Sequence, residues 1–268
     1  MLVTSASFTL PRGNAMNIDG VSALVTGGGS GLGEATARLL AERGAIVHVF
    51  DRNREAADRV AGEIGGVAVY GDVTSEADAA AALDTANSAG KGLRILVNCA
   101  GIGTAGRILG RDGPMPLANF ETVIRVNLIG TFNMMRLAAE RMSGLDELDD
   151  KTRGVIVNTA SVAAFEGQIG QAAYSASKGG IVSMALPAAR EFARFGVRVN
   201  TVAPGIFLTP LLYTLPQEAQ DSLAAAIPYP SRLGDPKEFA DAVRFVIENQ
   251  YINGEVIRLD GAIRMQPK

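Results

Sequence analysis

The stretch VSALVTGGGSGLGEATARLLAER, residues 21–43, decides the fold of this 268-residue chain. A short apolar run at 21–26 leads into the glycine-rich turn 27–33, and the residues from Glu34 onward have helical composition. Strand, glycine turn and helix in this order are typical of a dinucleotide site, because glycines let the backbone approach a pyrophosphate at the positive end of a helix. Many glycine-rich turns are only turns, so the rest of the chain must decide.

The next apolar run bears on which nucleotide is bound. Residues 45–50 predict a second strand that ends at Asp51, about 20 residues beyond the glycine turn. A carboxylate there accepts hydrogen bonds from the adenosine ribose hydroxyls and repels a 2′-phosphate, which favours NAD over NADP. Arg52 could tolerate that phosphate, and the two residues could also be a solvated turn, but we expect the acid to dominate.

Strands and helices alternate along the rest of the chain. Further apolar runs predict strands at 67–70, 93–97, 155–159, 197–202 and 255–259. The helices predicted after the first one lie at 53–64, after the cap at Thr74 or Ser75, at 120–142 and 236–249, and in the segment that carries Tyr174. This alternation predicts a single-domain α/β fold of the Rossmann type, a doubly wound, seven-stranded parallel sheet with helices on both faces.

One proline and two segments rich in proline or glycine interrupt the alternation of strands and helices. Pro187 lies inside the helix that carries Tyr174 and should kink it or end its regular part. Residues 103–116 contain four glycines and two prolines and should form a loop. Residues 206–230 combine apolar side chains with four prolines. That mixture after a strand end is typical of a lid over a substrate pocket, although a buried contact between subunits is the alternative.

In an open parallel sheet, ligands bind beyond the carboxyl ends of the strands. The residues predicted to lie at those ends are the glycine turn, Asp51, Asp72, residues 98–101, Ser161, Pro204 and Gly205. Because all of them fall at one edge of the sheet, we predict a single nucleotide site there. Taken alone, Asp72 could be only a loop acid, and residues 98–101 could be only a tight turn.

One group of three residues predicts the chemistry. Tyr174 and Lys178 stand one helical turn apart, and Ser161 follows the strand predicted at 155–159. A phenol has a pKa of ~10, and lowering it to ~7 requires about 4 kcal/mol. An ammonium group about 4 Å away supplies an interaction of that size at an effective dielectric of ~20. Tyr174 could then take a proton from an alcohol while Ser161 holds the reacting oxygen, unless the three are ordinary core, surface and turn residues.

The composition excludes several classes of protein. A net charge of −3 offers no basic face to nucleic acid or an anionic membrane. With a single cysteine, Cys99, and a single histidine, His48, we expect no metal site and no intrachain disulfide. No apolar run approaches the ~20 residues of a membrane span. We expect a domain over 17–268, a disordered extension at 1–16, and a cytoplasmic location.

From about Ile18 onward, the chain resembles the short-chain dehydrogenase/reductase family. The motifs that carry the resemblance are TGGGSGLG, Asp51, Asp72-Val73, NCAG, Asn127, Ser161, Tyr174-x-x-x-Lys178, and Pro204-Gly205 with Thr209. The resemblance implies that Ser161 holds the substrate oxygen and that Tyr174 is the general acid/base. It also implies that Lys178 lowers the pKa of Tyr174 and binds the nicotinamide ribose, and that Asn127 supports a water-linked proton relay.

The resemblance further implies two sets of binding residues. Those expected at the cofactor are Gly27, Ser30, Gly31, Leu32, Gly33, Asp51, Asp72, Val73, Asn98, Ala100, Gly101, Tyr174, Lys178, Pro204, Gly205, Phe207 and Thr209. Those expected near the substrate are Gln168, Leu208, Leu211 and Leu212. Two features depart from the family pattern: Cys99 stands where many members have asparagine, and residues 103–116 do not align.

Longer segments, including RGVIVNTASVAAFEGQIGQAAYSASKGGIV, are similar to one branch of that family. This branch implies NAD-dependent, reversible oxidation of (S)-3-hydroxyacyl-CoA to 3-ketoacyl-CoA, some activity on steroids, a homotetramer, and a mitochondrial location in some members. One alternative is a steroid or general secondary-alcohol dehydrogenase with the same catalytic residues. Another is a catalytically silent NAD-binding scaffold, which would be marked by loss of the serine, tyrosine or lysine; all three are present.

Overall fold

The computed structural model describes residues 16–213 and 216–267, without the side chains of Asp150 and Leu211. The extension predicted at 1–16 therefore lies outside the described residues except for Met16. Met16 is only 2% exposed, and its backbone N–H donates to the carbonyl oxygen of Glu248 at 3.1 Å. Met16 therefore packs against the rest of the domain, and the extension over the preceding residues stays a prediction.

The helices and strands alternate as the sequence predicts. In chain order, the first half comprises β1 (Ser22–Thr26), α1 (Gly31–Glu42), β2 (Ile46–Asp51), α2 (Arg54–Ile64), β3 (Val67–Tyr70), α3 (Glu76–Asn87), β4 (Leu93–Asn98), β5 (Leu109–Gly110), β6 (Gly113–Pro114), α4 (Leu117–Val123), a π-helix (Ile124–Ile129) and α5 (Gly130–Ser143). The second half comprises β7 (Gly154–Thr159), α6 (Ala172–Phe192), β8 (Val197–Pro204), α7 (Pro210–Tyr213), α8 (Gln217–Ala225), α9 (Pro236–Glu248) and β9 (Val256–Leu259).

Seven strands form one parallel sheet in the order β3-β2-β1-β4-β7-β8-β9. This confirms the predicted doubly wound Rossmann-type fold. The strands before β4 are added on one side of β1 and the later strands on the other side. At this change of strand order, between β1 and β4, a crevice opens beyond their carboxyl ends. The register brings those ends level: Thr26 pairs with both Phe50 and Asn98, and Asn98 pairs with Asn158. Residues that follow these strands therefore meet at one edge.

The sheet is covered on both faces, as a parallel sheet requires. Strands β1, β4, β7 and β8 are buried along their whole length. One apolar cluster packs α1, α2 and α9 on one face, around side chains such as Leu40, Val60 and Phe239. A second cluster packs α3, α5 and α6 on the other face, around Leu83 and Met134.

Two predictions about irregular segments are corrected by the structure. Pro187 does not end its helix, because α6 continues to Phe192. The proline deprives the carbonyl of Ser183 of its usual donor, but both residues are exposed, so water can take that place while the buried face of α6 stays packed. Residues 103–116 are not wholly loop, since Leu109–Gly110 pairs with Gly113–Pro114 in a short antiparallel hairpin.

The segment predicted as a lid contains two short helices, α7 and α8. Its positions 214–215 lie outside the described residues, and its action as a lid stays a prediction. No helix of the described chain is both long enough and apolar enough to pass through a membrane. Within the same residues, no three or more His, Cys, Asp or Glu side chains are grouped so as to hold a metal ion.

Candidate active site

The glycine turn brings the start of α1 close to the ends of β1 and β4. Gly27 has φ +64°, and a Cβ added to it would lie 2.8 Å from the backbone nitrogen of Ala100. A Cβ added to Gly33 would lie 2.2 Å from the carbonyl oxygen of Gly27. Only glycine fits either position, and the result is a bare backbone cradle at a helix N-terminus, which suits a pyrophosphate.

A groove of about 500 Å³ runs along the carboxyl ends of the strands from this cradle. Twelve of the residues expected at the cofactor line it: Gly27, Ser30, Gly31, Leu32, Gly33, Asp51, Asp72, Val73, Ala100, Gly101, Tyr174 and Thr209. The groove has the shape and the glycine-lined wall that a dinucleotide needs, so these residues fit a nicotinamide cofactor.

Two acids stand at one end of the groove. The Asp51 carboxylate accepts hydrogen bonds from the backbone N–H of Gly29 at 3.0 Å and of Asn53 at 2.9 Å, which fix its orientation. Asp72 accepts the N–H of Thr74 at 2.9 Å. The Arg52 guanidinium lies 3.8 Å from the Asp72 carboxylate, so it is drawn towards that acid at the mouth of the groove.

Five residues expected at the cofactor do not line the groove, and one of them, Lys178, lies behind Tyr174. The Asn98 side chain is buried and donates to Asn158 Oδ1 at 2.9 Å, tying β4 to β7. Phe207 packs edge-on against Phe239, with the ring centroids 6.3 Å apart, and so belongs to the core. Pro204 ends β8, and Gly205 lies against Asp260. Their roles at the cofactor stay predictions.

Tyr174 lines the groove, and the buried Ser161 reaches it from a different element without lining the groove itself. Tyr174 lies in the first turn of α6, and Ser161 follows β7 and caps a short 3₁₀ turn, its Oγ accepting the N–H of Ala163 at 3.1 Å. Burial raises the pKa of Tyr174 above its ordinary value, and a hydrogen bond with Ser161 opposes that rise. The pair can therefore hold one oxygen atom between two hydroxyl groups.

Lys178 lies behind Tyr174 in the interior. It is 4% exposed, and its Nζ donates to the carbonyl oxygen of Thr159 at 2.8 Å and lies 5.8 Å from the centroid of the Tyr174 ring. Burial lowers the pKa of Lys178 to about 8. This differs from the expectation that the lysine lowers the phenol pKa, because loss of solvation is the largest influence on both groups.

Asn127 sits in the π-helix, where one extra residue in the turn interrupts regular helix geometry. Its side chain is fully buried and accepts the N–H of Ile102 at 2.8 Å, donates to the Ile102 carbonyl at 2.9 Å and donates to Ser177 Oγ at 3.0 Å. It therefore fastens the segment after β4 to α6. Short π-helical segments are frequent at functional sites, but the proposed water relay stays a prediction.

The sequence reasoning did not place several residues that line the groove: Phe50, Gly71, Ile102, Val126 and Pro210. Most of them are neighbours of predicted residues, and that proximity is the signal that could have found them. Cys99 lines the groove within the predicted segment 98–101. Its sulfur accepts a hydrogen bond from Thr159 Oγ1 at 3.5 Å, and burial raises its pKa to about 11, so the thiol is neutral.

The residues expected near the substrate are spread over two regions. Gln168 precedes α6, and its side-chain amide donates to the carbonyl of Gln266 at 2.9 Å. Leu208 lines a separate cleft against α1 and α9 rather than the groove. Leu212 is half-buried in α7, and the side chain of Leu211 lies outside the described residues. Contact of these four with substrate stays a prediction.

Comparison with known proteins identifies the family. A model of the family described as short chain dehydrogenase matches residues 22–220. The chain belongs to the short-chain dehydrogenase family. It is 52% identical to the 3-hydroxyacyl-CoA dehydrogenase type-2 of Bos taurus and 51% identical to that of Homo sapiens, in each case over 94% of this chain and 98% of the relative.

A solved structure agrees with this assignment. The crystal structure of 3-hydroxyacyl-CoA dehydrogenase type-2 from Mycobacterium avium superposes with a TM-score of 0.90, at 45% identity, over 93% of this chain and 98% of that one. This short-chain dehydrogenase is therefore an oxidoreductase that acts on a small molecule with a nicotinamide cofactor. The resemblance inferred from the sequence motifs is confirmed.

Proposed function

We propose that this short-chain dehydrogenase oxidises (S)-3-hydroxyacyl-CoA to 3-ketoacyl-CoA, reversibly and with NAD. The observation that carries the proposal is the hydrogen bond between Ser161 and Tyr174, which lines the groove, with Lys178 buried behind the tyrosine. The substrate class is supported by relatives that bear the name 3-hydroxyacyl-CoA dehydrogenase type-2 and match this chain at 45% to 52% identity over nearly their whole length.

The chain's own residues supply the proton chemistry. When bound, the nicotinamide cofactor accepts a hydride from the alcohol carbon. Tyr174 takes the hydroxyl proton as that carbon becomes a carbonyl, and Ser161 hydrogen-bonds the same oxygen. Tyr174 must be a phenolate before it accepts that proton, and Lys178, charged below a pKa of about 8, stabilises this phenolate. In the reverse direction Tyr174 returns the proton.

The preference for NAD rests on Asp51. Its carboxylate is held in place by two backbone N–H groups and faces the groove. A fixed negative charge there repels a 2′-phosphate, while Arg52 is drawn towards Asp72. Asp51→Asn removes the charge, can keep only one of the two backbone hydrogen bonds, and should narrow the ratio of kcat/KM for NAD over NADP. An unchanged ratio would show that another residue sets the choice.

The substrate class is tested by comparing specificity constants for two substrates. We expect NADH formation with (S)-3-hydroxybutyryl-CoA at a kcat/KM well above that for a 17β-hydroxysteroid, measured on the same enzyme. Faster oxidation of the steroid, with little turnover of the thioester, would replace the proposal by a steroid or secondary-alcohol dehydrogenase. No turnover of any alcohol, with NAD still bound, would favour a silent scaffold.

We further infer that the protein assembles as a homotetramer. Supporting observations are the apolar side chains left exposed on helices α5, α6 and α9, among them Phe132 at 48%, Leu186 at 45% and Phe245 at 52%. Such side chains are unusual on the solvent face of a helix unless another surface covers them. Light scattering should give four times the 27.9 kDa chain mass, and a monomeric mass would contradict the inference.

A further inference from the structure

The glycine turn, residues 27–33, does little by itself to keep its backbone in one shape. Three glycines stand in succession, Gly27, Gly28 and Gly29, and glycine loses more conformational freedom on folding than any other residue. Ser30 stands at the N-cap of α1, but its side chain forms no capping hydrogen bond. Contacts from other elements must therefore order the turn.

Gly29 receives such contacts on both of its backbone polar groups. Its N–H donates to Asp51 Oδ2 at 3.0 Å, and its carbonyl oxygen accepts a hydrogen bond from Arg59 Nη2 at 3.0 Å. Gly29 is buried, and a Cβ added to it would lie 2.8 Å from Ala56 Cβ. Because Ala56 and Arg59 both belong to α2, the turn is fastened to that helix as well as to the acid that lines the groove.

Arg59 is held in turn by a charge cluster that joins α1 to α2, formed by Glu34, Arg38, Arg59 and Glu63. The two terminal nitrogens of Arg59 donate to the Glu34 carboxylate at 3.0 and 2.8 Å. Arg38 donates to the same carboxylate at 2.7 Å and also pairs with Glu63. Hydrogen bonding from Arg59 lowers the pKa of Glu34 below its ordinary value, so this carboxylate is charged at neutral pH.

The two arginines of the charge cluster differ in one contact. Each is partly exposed and pairs with both Glu34 and Glu63. Arg59 also donates to Gly29, whereas in the described part of the chain Arg38 forms no hydrogen bond with the glycine turn. Exposed ion pairs add little to stability, so the contact with Gly29 is the feature of Arg59 that can bear on the site.

We propose that Arg59 is a positioning residue for the cofactor: with its guanidinium held by Glu34, it sets the glycine turn and Asp51 in the arrangement that binds NAD. This rests on the proposed function, because it takes NAD as the cofactor. Arg59 does not line the groove, so it acts through Gly29 without touching the cofactor. A turn that is ordered beforehand loses less conformational entropy when it receives the pyrophosphate, and the affinity is higher for that reason.

The test measures NADH affinity by fluorescence titration, together with steady-state rates. Arg59→Gln should raise the Kd of NADH roughly 2- to 10-fold, the range expected when one hydrogen bond is lost. The inhibition constant of ADP-ribose should rise by the same factor, because ADP-ribose lacks the nicotinamide ring but keeps the adenosine and the pyrophosphate. At saturating NAD, kcat and the KM of (S)-3-hydroxybutyryl-CoA should not change.

Two further variants separate positioning from the loss of a charge. Arg38→Gln removes the same charge from the same charge cluster but leaves the contact with Gly29, so the Kd of NADH should not change. Glu34→Gln weakens the ionic hold on Arg59 and should therefore weaken NADH binding. If net charge alone mattered, loss of a negative charge near the pyrophosphate would instead tighten binding.

The outcomes distinguish this proposal from the function on which it rests. The same Kd of NADH for Arg59→Gln and Arg38→Gln would overturn the proposal, as would tighter binding of NADH by Glu34→Gln. A lower kcat for Arg59→Gln at saturating NAD would mean that the substitution damages the site as a whole, which also overturns it. Failure of the unaltered protein to bind NADH would refute NAD as the cofactor, and the role of Arg59 with it.

Discussion

Lys178 is a cation held in the interior with no carboxylate partner among the described residues, and its burial lowers the stability of the fold. Its pKa in the folded chain is about 8, below the usual 10.5, because burial disfavours the charged form. This lowering sets how stability depends on pH. Above the unfolded pKa of 10.5 Lys178 is neutral in both states and its burial has no charge penalty; stability is lost as the pH falls from there through the folded pKa of about 8. At pH 7 the folded protein holds the charge at a cost of about 3 kcal/mol.

Lys178→Met should therefore stabilise the fold while removing activity. The substitution removes the cost of burying the charge, but it also removes the hydrogen bond to Thr159, which offsets about 1 kcal/mol. We therefore expect a net increase of roughly 2 kcal/mol in the free energy of unfolding at pH 7. Urea denaturation measures it, with Lys237→Met as a control at an exposed lysine. A lower urea midpoint for Lys178→Met would contradict the account.

The sequence predicted which residues meet but not the environment in which they meet. The spacing of Tyr174 and Lys178 places both on one face of α6, as the structure has them. Whether that face is exposed to solvent or buried depends on its packing against β7 and the turn after it. Because both side chains are removed from water, the pKa of Tyr174 is raised rather than lowered.

At the scale of elements, long periodic segments were predictable and short irregular ones were not. Each of the seven sheet strands was found within a few residues of its apolar run. The hairpin at β5 and β6 and the π-helix between α4 and α5 were missed. Two-residue strands carry no periodicity, and the π-helix depends on contacts that Asn127 makes with distant residues.

Asn127 should be essential to this local structure. Asn127→Ala leaves the N–H and carbonyl of Ile102 without their partner in a part-buried site. We expect a loss of about 2–4 kcal/mol in the free energy of unfolding, since each unsatisfied group costs ~1–3 kcal/mol. Asn119→Ala, on the exposed side of α4, serves as the control. A loss no larger than that of the control would show that the contacts around Ile102 are dispensable.

At the scale of the whole molecule, one histidine governs the response to mild acid. His48 is the chain's single histidine, it is 1% exposed in β2, and burial lowers its pKa below 6.5. The unfolded chain therefore binds a proton that the folded chain resists. The stability from neutral His48 is complete above about pH 6.5 and is lost as the pH falls towards and through the lower folded pKa.

Thermal unfolding between pH 7.5 and pH 5.5 should show this directly, with these values chosen to bracket the usual pKa of about 6.5. The melting temperature should fall across that range, and in His48→Asn the slope should flatten. Asparagine keeps a polar partner for Ser22 Oγ, which lies 3.3 Å from His48 Nδ1. The same slope in both proteins would mean that another group titrates there.

The most direct test of the account is the Tyr174→Phe enzyme, assayed for NADH formation and for NAD binding by titration calorimetry. The substitution removes only the hydroxyl, so NAD affinity should be largely retained while kcat falls at least ~100-fold. Tyr251→Phe, at a fully exposed tyrosine, should match the unaltered enzyme in both measurements. Turnover by Tyr174→Phe at an unaltered rate would contradict the assignment of Tyr174 as the acid/base.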